Sequence, residues 1–193
     1  WYFVEDPWSA WGPMWAPGVG MFYASNRDGM NDQKYDGDIY LDTTRLAFNT
    51  DDDNDNPHYC EALDELWMNR GKDEEILVLR QARKNNFSGQ PELAPAPITM
   101  PNYKDTMPFL TADGQTLYFA SDRQDPQGGR LAIYRSQRRG DGWSAPEPVI
   151  WDAKLAVGEP TLTADGKRLF YEQALHDSRW GYTTQFFYIE RLD

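Results

Sequence analysis

Little in this sequence offers a nucleophile or a metal centre. Its one cysteine, Cys60, cannot form an internal disulfide, and a single thiol leaves the redox compartment open. Its two histidines are His58 and His176. A zinc site would have to join His58 to Cys60, with no second cysteine to give ordinary ligand spacing, so both histidines read as surface or turn residues. No G-x-S-x-G elbow occurs, which removes support for serine-hydrolase chemistry. Gly128-Gly129 is a turn signal and no glycine-rich phosphate loop is present. No apolar run approaches the roughly 18 residues of a transmembrane helix, so an integral membrane protein is not expected. Basic residues are scarce, 19 Lys and Arg against 31 Asp and Glu, for a net charge of −12. That balance argues against nucleic acid and anionic membrane surfaces as non-specific partners. The chain opens on Trp1 with neither an initiator Met nor a signal-peptide pattern, so a processed or trimmed product is expected.

Aromatic residues, in contrast, are abundant at 15%, with eight Trp and eleven Tyr. They suit strands and large core side chains. A chain of 193 residues can bury a proper core, and one domain over residues 1–193 is expected. The organising stretch is PFLTADGQTLYFASDRQDPQGGRLAIY over residues 108–134, whose opening recurs as PTLTADGKRLFY from Pro160, 52 residues after Pro108. In each copy an Asp-Gly turn separates two short apolar-aromatic runs, which predicts a β-hairpin.

Upstream, Met21-Phe22-Tyr23-Ala24-Ser25 matches Leu117-Tyr118-Phe119-Ala120-Ser121 as a strand, and Asp38-Ile39-Tyr40-Leu41 predicts the next. A further strand is expected over 45–50. Residues 8–20, rich in Trp, Pro and Gly, read as an ordered loop. Residues 57–73 admit one or two helical turns, or a strand centred on Leu66-Trp67-Met68. Residues 75–81 predict a strand, and 82–106 a long connection with a short strand near Pro97-Ile98-Thr99. Strands are then expected near 107–110, 117–121, 131–136, 147–150, 159–162, 168–173 and 184–191.

The pattern P-x-L-T-A-D-G-x-x-L-Y-F-A-S-D-R, followed by I-Y and G-W-S-A-P, resembles the PD40 or WD40-like repeat, the β-propeller blade of the TolB type. The match is strong over 107–150, good over 158–191, partial over 17–41 and weak over 45–100. The resemblance implies an all-β fold, a small propeller of four blades of four-stranded antiparallel sheet. Five blades, or a ring completed by another chain, is the alternative. Physically, one blade cannot bury both faces, and stacking blades around an axis buries them. The last unit holds only three strands, so Trp1-Tyr2-Phe3-Val4 is expected to close it beside residues 186–190. The Arg of the S-x-R motif, Arg27 and Arg123, is expected to pair with a neighbouring Asp or with backbone carbonyls.

Three groups of residues could carry function. Asp51, Asp53 and Asp55 lie in an acidic run that offers the oxygen ligands a Ca²⁺ ion takes. The run departs from an EF-hand loop: Ala62 stands at the twelfth position and no Gly at the sixth. A solvated loop is the competing reading. Trp8, Trp11 and Trp15 form either a stacking platform for a sugar or protein partner or part of the packed core. With His58 of the loop 51–58, they are the candidate partner contacts. Finally, Glu5-Asp6-Pro7 and Trp15-Ala16-Pro17 resemble the D-P and W-A-P segments of five-bladed propeller glycosidases of the arabinanase and xylosidase type. That resemblance would set Asp6, Asp38 and Glu159 as carboxylates around a central pocket.

The reading that results is a non-catalytic, TolB-like propeller. It would bind a protein partner or serve as subunit of a larger assembly in a bacterial envelope, periplasmic or secreted, with no cofactor beyond Ca²⁺. A glycan-binding or glycoside-hydrolase-like propeller is the alternative. Convergence of Asp6, Asp38 and Glu159 on one pocket would favour that alternative.

Overall fold

The computed structural model describes residues 9–27, 37–71, 74–88, 93–125, 130–177 and 181–190. Among the described residues sixteen strands and one turn of 3-10 helix, Glu61–Leu63, build four antiparallel sheets. The first sheet is β1 (Ala10–Ala16), β2 (Gly20–Ser25), β3 (Asp38–Leu41) and β4 (Thr44–Arg45), in that order. The second is β5 (Asn54–Cys60), β6 (Glu65–Arg70), β7 (Glu75–Arg80) and β8 (Leu93–Pro95). The third holds β9 (Asp105–Leu110), β10 (Thr116–Ser121) and β11 (Ala132–Arg139), with β12 (Gly142–Trp143) and β13 (Glu147–Ile150) both on the outer side of β11. The fourth is β14 (Val157–Leu162), β15 (Arg168–Asp177) and β16 (Gly181–Glu190). The sheets are the blades of a four-bladed propeller whose inner strands are β1, β5, β9 and β14. No helix among the described residues is long and apolar enough to cross a membrane.

The repeated Thr-Ala-Asp-Gly segment turns each hairpin by its own side chains. Thr111 Oγ1 donates to Asp113 Oδ1 at 2.6 Å and accepts the Thr116 amide at 3.0 Å. Thr163, Asp165 and Arg168 repeat the arrangement at 2.6 and 3.0 Å. Gly114 and Gly166 take φ of +66° and +70°, where a side chain would be strained.

Apolar faces meet between blades. One cluster joins Phe22, Ile39 and Phe48 of the first blade to Tyr59, Leu66, Met68, Leu79 and Phe87 of the second. The other joins Trp67, Ile76 and Val78 to Leu110, Leu117, Phe119 and Tyr134. Trp67 is buried among these, with its indole N–H donated to Glu65 Oε2 at 3.1 Å and its ring edge-on to Trp143 at 5.7 Å. The alternation of side chains along β6 and β7 sends Leu66 and Met68 to one cluster and Trp67 to the other, which is why these strands are apolar on both faces.

Several expectations change. Residues 8–20 do not form a loop throughout: Ala10–Ala16 is the inner strand of the first blade. The 45–50 strand is only the end of β4, after which the chain turns, with the Asn49 side chain bonding the backbone of Ile39 in both directions at 2.8 and 2.9 Å. The segment 97–99 is likewise a turn, its strand lying earlier at β8. Residues 57–73 resolve into β5, the 3-10 turn and β6. The Asp38 to Leu41 strand and those expected downstream of residue 107 are present, with bounds shifted by a few residues. The fourth blade has three strands among the described residues. The expected closing segment, Trp1 to Val4, lies outside them.

Arg123 pairs as expected, with Asp105 Oδ2 at 2.8 Å and the Ile98 carbonyl at 2.6 Å. Arg70 does the same one blade earlier, reaching Asn54 Oδ1 at 2.8 Å and the Phe48 carbonyl at 2.7 Å. Among the described residues Arg27 donates to the Tyr23 hydroxyl at 2.7 Å and lies 4.6 Å over the Tyr40 ring.

Candidate functional site: the bulged central channel

All four inner strands carry an X-Pro pair near their middle: Gly12-Pro13, Asn56-Pro57, Met107-Pro108 and Glu159-Pro160. Proline has no N–H to give a ladder, and an inner strand can spare one because one of its edges faces the axis. In each strand the residue before proline has positive φ: 59° at Gly12, 49° at Asn56, 55° at Met107 and 50° at Glu159. In each, the pairing register with the second strand also slips there. These are four β-bulges at matching positions, and each turns its strand locally. Glycine and asparagine accept the left-handed conformation readily, whereas Met107 and Glu159 hold it at a cost of about 1 kcal/mol each. Packing between the third and fourth blades maintains it. The Glu159 amide meets Met107 Sδ at 3.4 Å, and a Cβ on Gly158 would stand 2.7 Å from that sulfur.

The bulges surround a cavity of about 380 Å³. Trp15, Asn56, His58, Phe109 and Glu159 are in its wall, together with the four prolines. A second cavity of about 660 Å³ continues toward the ends of the inner strands and is bordered by both Thr-Ala-Asp-Gly turns. Met14, His58 and Phe109 border both cavities.

One acid, Glu159, lines the first cavity, and among the described residues it has no basic partner; a second, Asp55, acts on it through its charge. Burial, followed by the negative charges of Asp55 and Glu172, pushes the Glu159 carboxyl up to about 7. Asp55 lies one residue before its own bulge. Burial pushes it up to about 6, opposed by the Asn56 amide at 2.6 Å and the Trp11 indole N–H at 2.5 Å, while Asp53 and Glu74 add repulsion. His58 is neither a surface nor a turn residue. It sits in β5 with its ring 4.7 Å from Phe109, and burial lowers its pKa to about 4. The neutral ring faces the Leu110 carbonyl through Nε2 at 3.1 Å. A carbonyl can only accept, so Nε2 carries the proton and Nδ1 keeps a lone pair.

The expected site residues divide. Trp15 and Glu159 share the channel, and Trp15 is 61% exposed. Trp11 is committed to structure: its indole holds Asp55, and a Cβ on Gly37 would come within 2.7 Å of its ring. Asp38 does not join Glu159. It is buried on β3, two strands out from the axis, ~10 Å at the usual strand spacing, and Arg45 grips it in a forked ion pair at 2.7 Å. The carboxylates that do influence Glu159 are Asp55 and Glu172. Asp6 and Trp8 lie outside the described residues. Asp51, Asp53 and Asp55 do not share one loop: Asp51 and Asp53 are exposed, Asp53 accepts the Gly37 amide at 2.6 Å, and Asp55 is inside β5. Among the described residues no three His, Cys, Asp or Glu side chains come together as a metal site.

The recurrence of X-Pro once per inner strand is the signal that would have aligned all four blades and placed Asp55 beside the axis. Only the pairs at Pro108 and Pro160 stand in a recognisable repeat, because Gly12-Pro13 and Asn56-Pro57 lack the following Thr-Ala-Asp-Gly turn.

No family model matches this sequence. No curated protein matches it either. Among solved structures, the chain is similar to a protein provisionally assigned as TolB from Agrobacterium tumefaciens, with 16% identity, a TM-score of 0.54 and coverage of 96% of this chain and 83% of that one. At that identity the likeness shows the fold, the TolB-like β-propeller, in agreement with the repeat read over residues 107–150.

Proposed function

We propose that this chain is a non-catalytic binding module that holds a protein partner at the mouth of its central channel, as a subunit of a complex in a bacterial envelope or in the extracellular space. The observation that carries the reading is Trp15, an indole 61% exposed in the wall of the channel. A large apolar ring in a concave setting is the usual anchor of an interaction surface. The strand that carries it is fixed by Trp11, Asp55 and the first bulge, so the anchor is presented on a rigid frame. The similarity of fold to a TolB-assigned protein supports an envelope setting by analogy of fold.

The test is affinity capture from the envelope and secreted fractions of the source organism with the wild-type chain and Trp15→Ala in parallel. A stoichiometric partner retained by the wild type and lost or strongly reduced with the variant is expected. Equal recovery by both, or a lone monomer throughout, overturns the reading. The glycan alternative keeps one supporting observation, the juxtaposition of Trp15 and Glu159 in one cavity. A carbohydrate array on the same two proteins separates it from the protein-binding reading.

A further inference from the structure

Five buried or partly buried acids are paired with a base. Asp38 meets Arg45 at 2.7 Å, Asp105 meets Arg123 at 2.8 Å, and Glu65 meets Arg138 at 3.1 Å. Glu74 meets Lys104 at 3.1 Å and Asp125 meets Arg130 at 3.5 Å. Asp55 and Glu159 differ from these five. Among the described residues no Lys or Arg pairs with either, and the charges acting on Glu159 are those of Asp55 and Glu172. Glu159 accepts no hydrogen bond among the described residues, although it lines a cavity of about 380 Å³ with an exposed indole in the same wall. A site with one carboxylate in its wall, the negative charge of Asp55 acting on it, an aromatic face and apolar walls of proline, Met107 and Phe109 has the features of a receptor for an organic cation.

We propose that the channel binds one alkylammonium or guanidinium group, seated on Glu159 with its stem along the proline walls and the Trp15 indole against its charge. A bare metal ion fits less well, since no third acid, histidine or cysteine joins the pair among the described residues and the cavity is much larger than an ion. The reading deepens the proposed function: the cation would be a lysine or arginine side chain of the partner. A free small amine shares the chemistry and is separated from it below. His58 stays neutral and contributes no positive charge in the channel. Besides each other, the acids whose charges act on Asp55 and Glu159 are Asp53, Glu74 and Glu172.

The experiment is calorimetric titration of the whole chain with n-butylammonium, butylguanidinium and the neutral isostere n-pentanol. It is run at about pH 8 and about pH 5.5, because protonation of the acids removes the charge the cation needs. Saturable binding of the two cations and none of the alcohol is expected. Affinity should be at least about tenfold weaker in Glu159→Gln, the weight of one charge-assisted contact, and weaker again at the lower pH. Trp15→Ala should weaken binding less, without abolishing it. Absence of saturable cation binding in the folded wild type, or equal affinity in Glu159→Gln, overturns the proposal. A blocked lysine and a short Gly-Ser peptide carrying one lysine give the second arm. Tighter binding of the peptide assigns the site to a partner's side chain, and equal binding to a free amine; both support a cation site. Partner capture that survives Glu159→Gln in a protein without cation binding sinks this proposal and leaves the binding module standing. Cation binding with no captured partner does the reverse.

Discussion

Glu159 holds two unfavourable features together, a left-handed backbone and a carboxyl crowded by Asp55 and by burial. Its stability effect has a definite sign. A carboxyl whose folded pKa is raised from 4.5 to about 7 contributes stability that is full below 4.5 and lost as pH rises through 7. Glu159→Gln removes the charge and keeps the shape, so the variant should be more stable than wild type at about pH 8, by ~1–3 kcal/mol after allowance for channel water, with the two converging near pH 4. His58 acts in the opposite sense. Its folded pKa is lowered from 6.5 to about 4, so its contribution is full above 6.5 and lost as pH falls through 4. In wild type the two effects oppose each other between these values, and in Glu159→Gln the loss of stability on acidification should stand uncovered. Urea midpoints across this range decide it, and a variant less stable than wild type at the higher pH would show that Glu159 is satisfied in the fold. The sequence singled out Glu159 and Trp15 but paired Glu159 with Asp38. Nothing local distinguishes an aspartate on the third strand, held by an arginine seven residues away, from one at the axis. That difference is made by the bulge at Asn56 and by the arrangement of the blades.

At the scale of the element, the same turn sequence meets different surroundings in two blades. Gly114 and Gly166 have nearly equal φ, yet a Cβ on Gly114 would lie 2.5 Å from Leu63 of the preceding blade, while on Gly166 the nearest atom is Leu162 Cδ2 at 3.7 Å. Gly166→Ala should therefore cost only the conformational strain, about 1 kcal/mol. Gly114→Ala should cost ~1–2 kcal/mol more, since Leu63 must move. Denaturant midpoints at unchanged slope would measure both, and equal losses would remove the contact with Leu63 from the account. The arginine clasp is a sharper case. Asp105 is fully buried, so Arg123→Ala leaves a charge without its partner and should lose ~3–5 kcal/mol by the same measurement. The hairpins around the two Asp-Gly turns were legible because the turn, the alternation and the aromatic runs agree there. The first blade was harder to read. Its inner strand is interrupted by Gly12 and Pro13, residues that signal a loop in isolation and a bulge only when a neighbouring blade packs against it. The turns at 46–49 and 96–99 misled in the other direction. Leu46, Phe48, Ala96 and Ile98 are apolar because they fill the spaces between blades, which imitates the pattern of a strand.

For the whole molecule, the blades are unequal in what holds them. The second blade is packed on both faces, with Trp67, Ile76, Val78, Leu66 and Leu79 buried. The fourth blade leaves Phe186 at 76%, Tyr188 at 54% and Ile189 at 41% exposure, and among the described residues its outer strand β16 has no further partner. Ring contacts within that sheet, Phe170 with Tyr188 at 5.5 Å and Tyr171 with Phe187 at 5.7 Å, join β15 to β16. The exposed pair of Arg168 and Glu190 at 3.0 Å adds little. Local opening should follow this distribution, since regions with few buried apolar contacts open below the global cost. Amides of β15 and β16 should exchange through a local opening that depends weakly on urea, and those of β6, β7 and β10 only through global unfolding. Because β14 carries Glu159 on this softer blade, n-butylammonium at saturation should slow exchange in β14 and β15 more than in β6 and β7. Exchange that is uniform across the four blades would contradict the first expectation. Slowing confined to the second blade would place the cation away from Glu159.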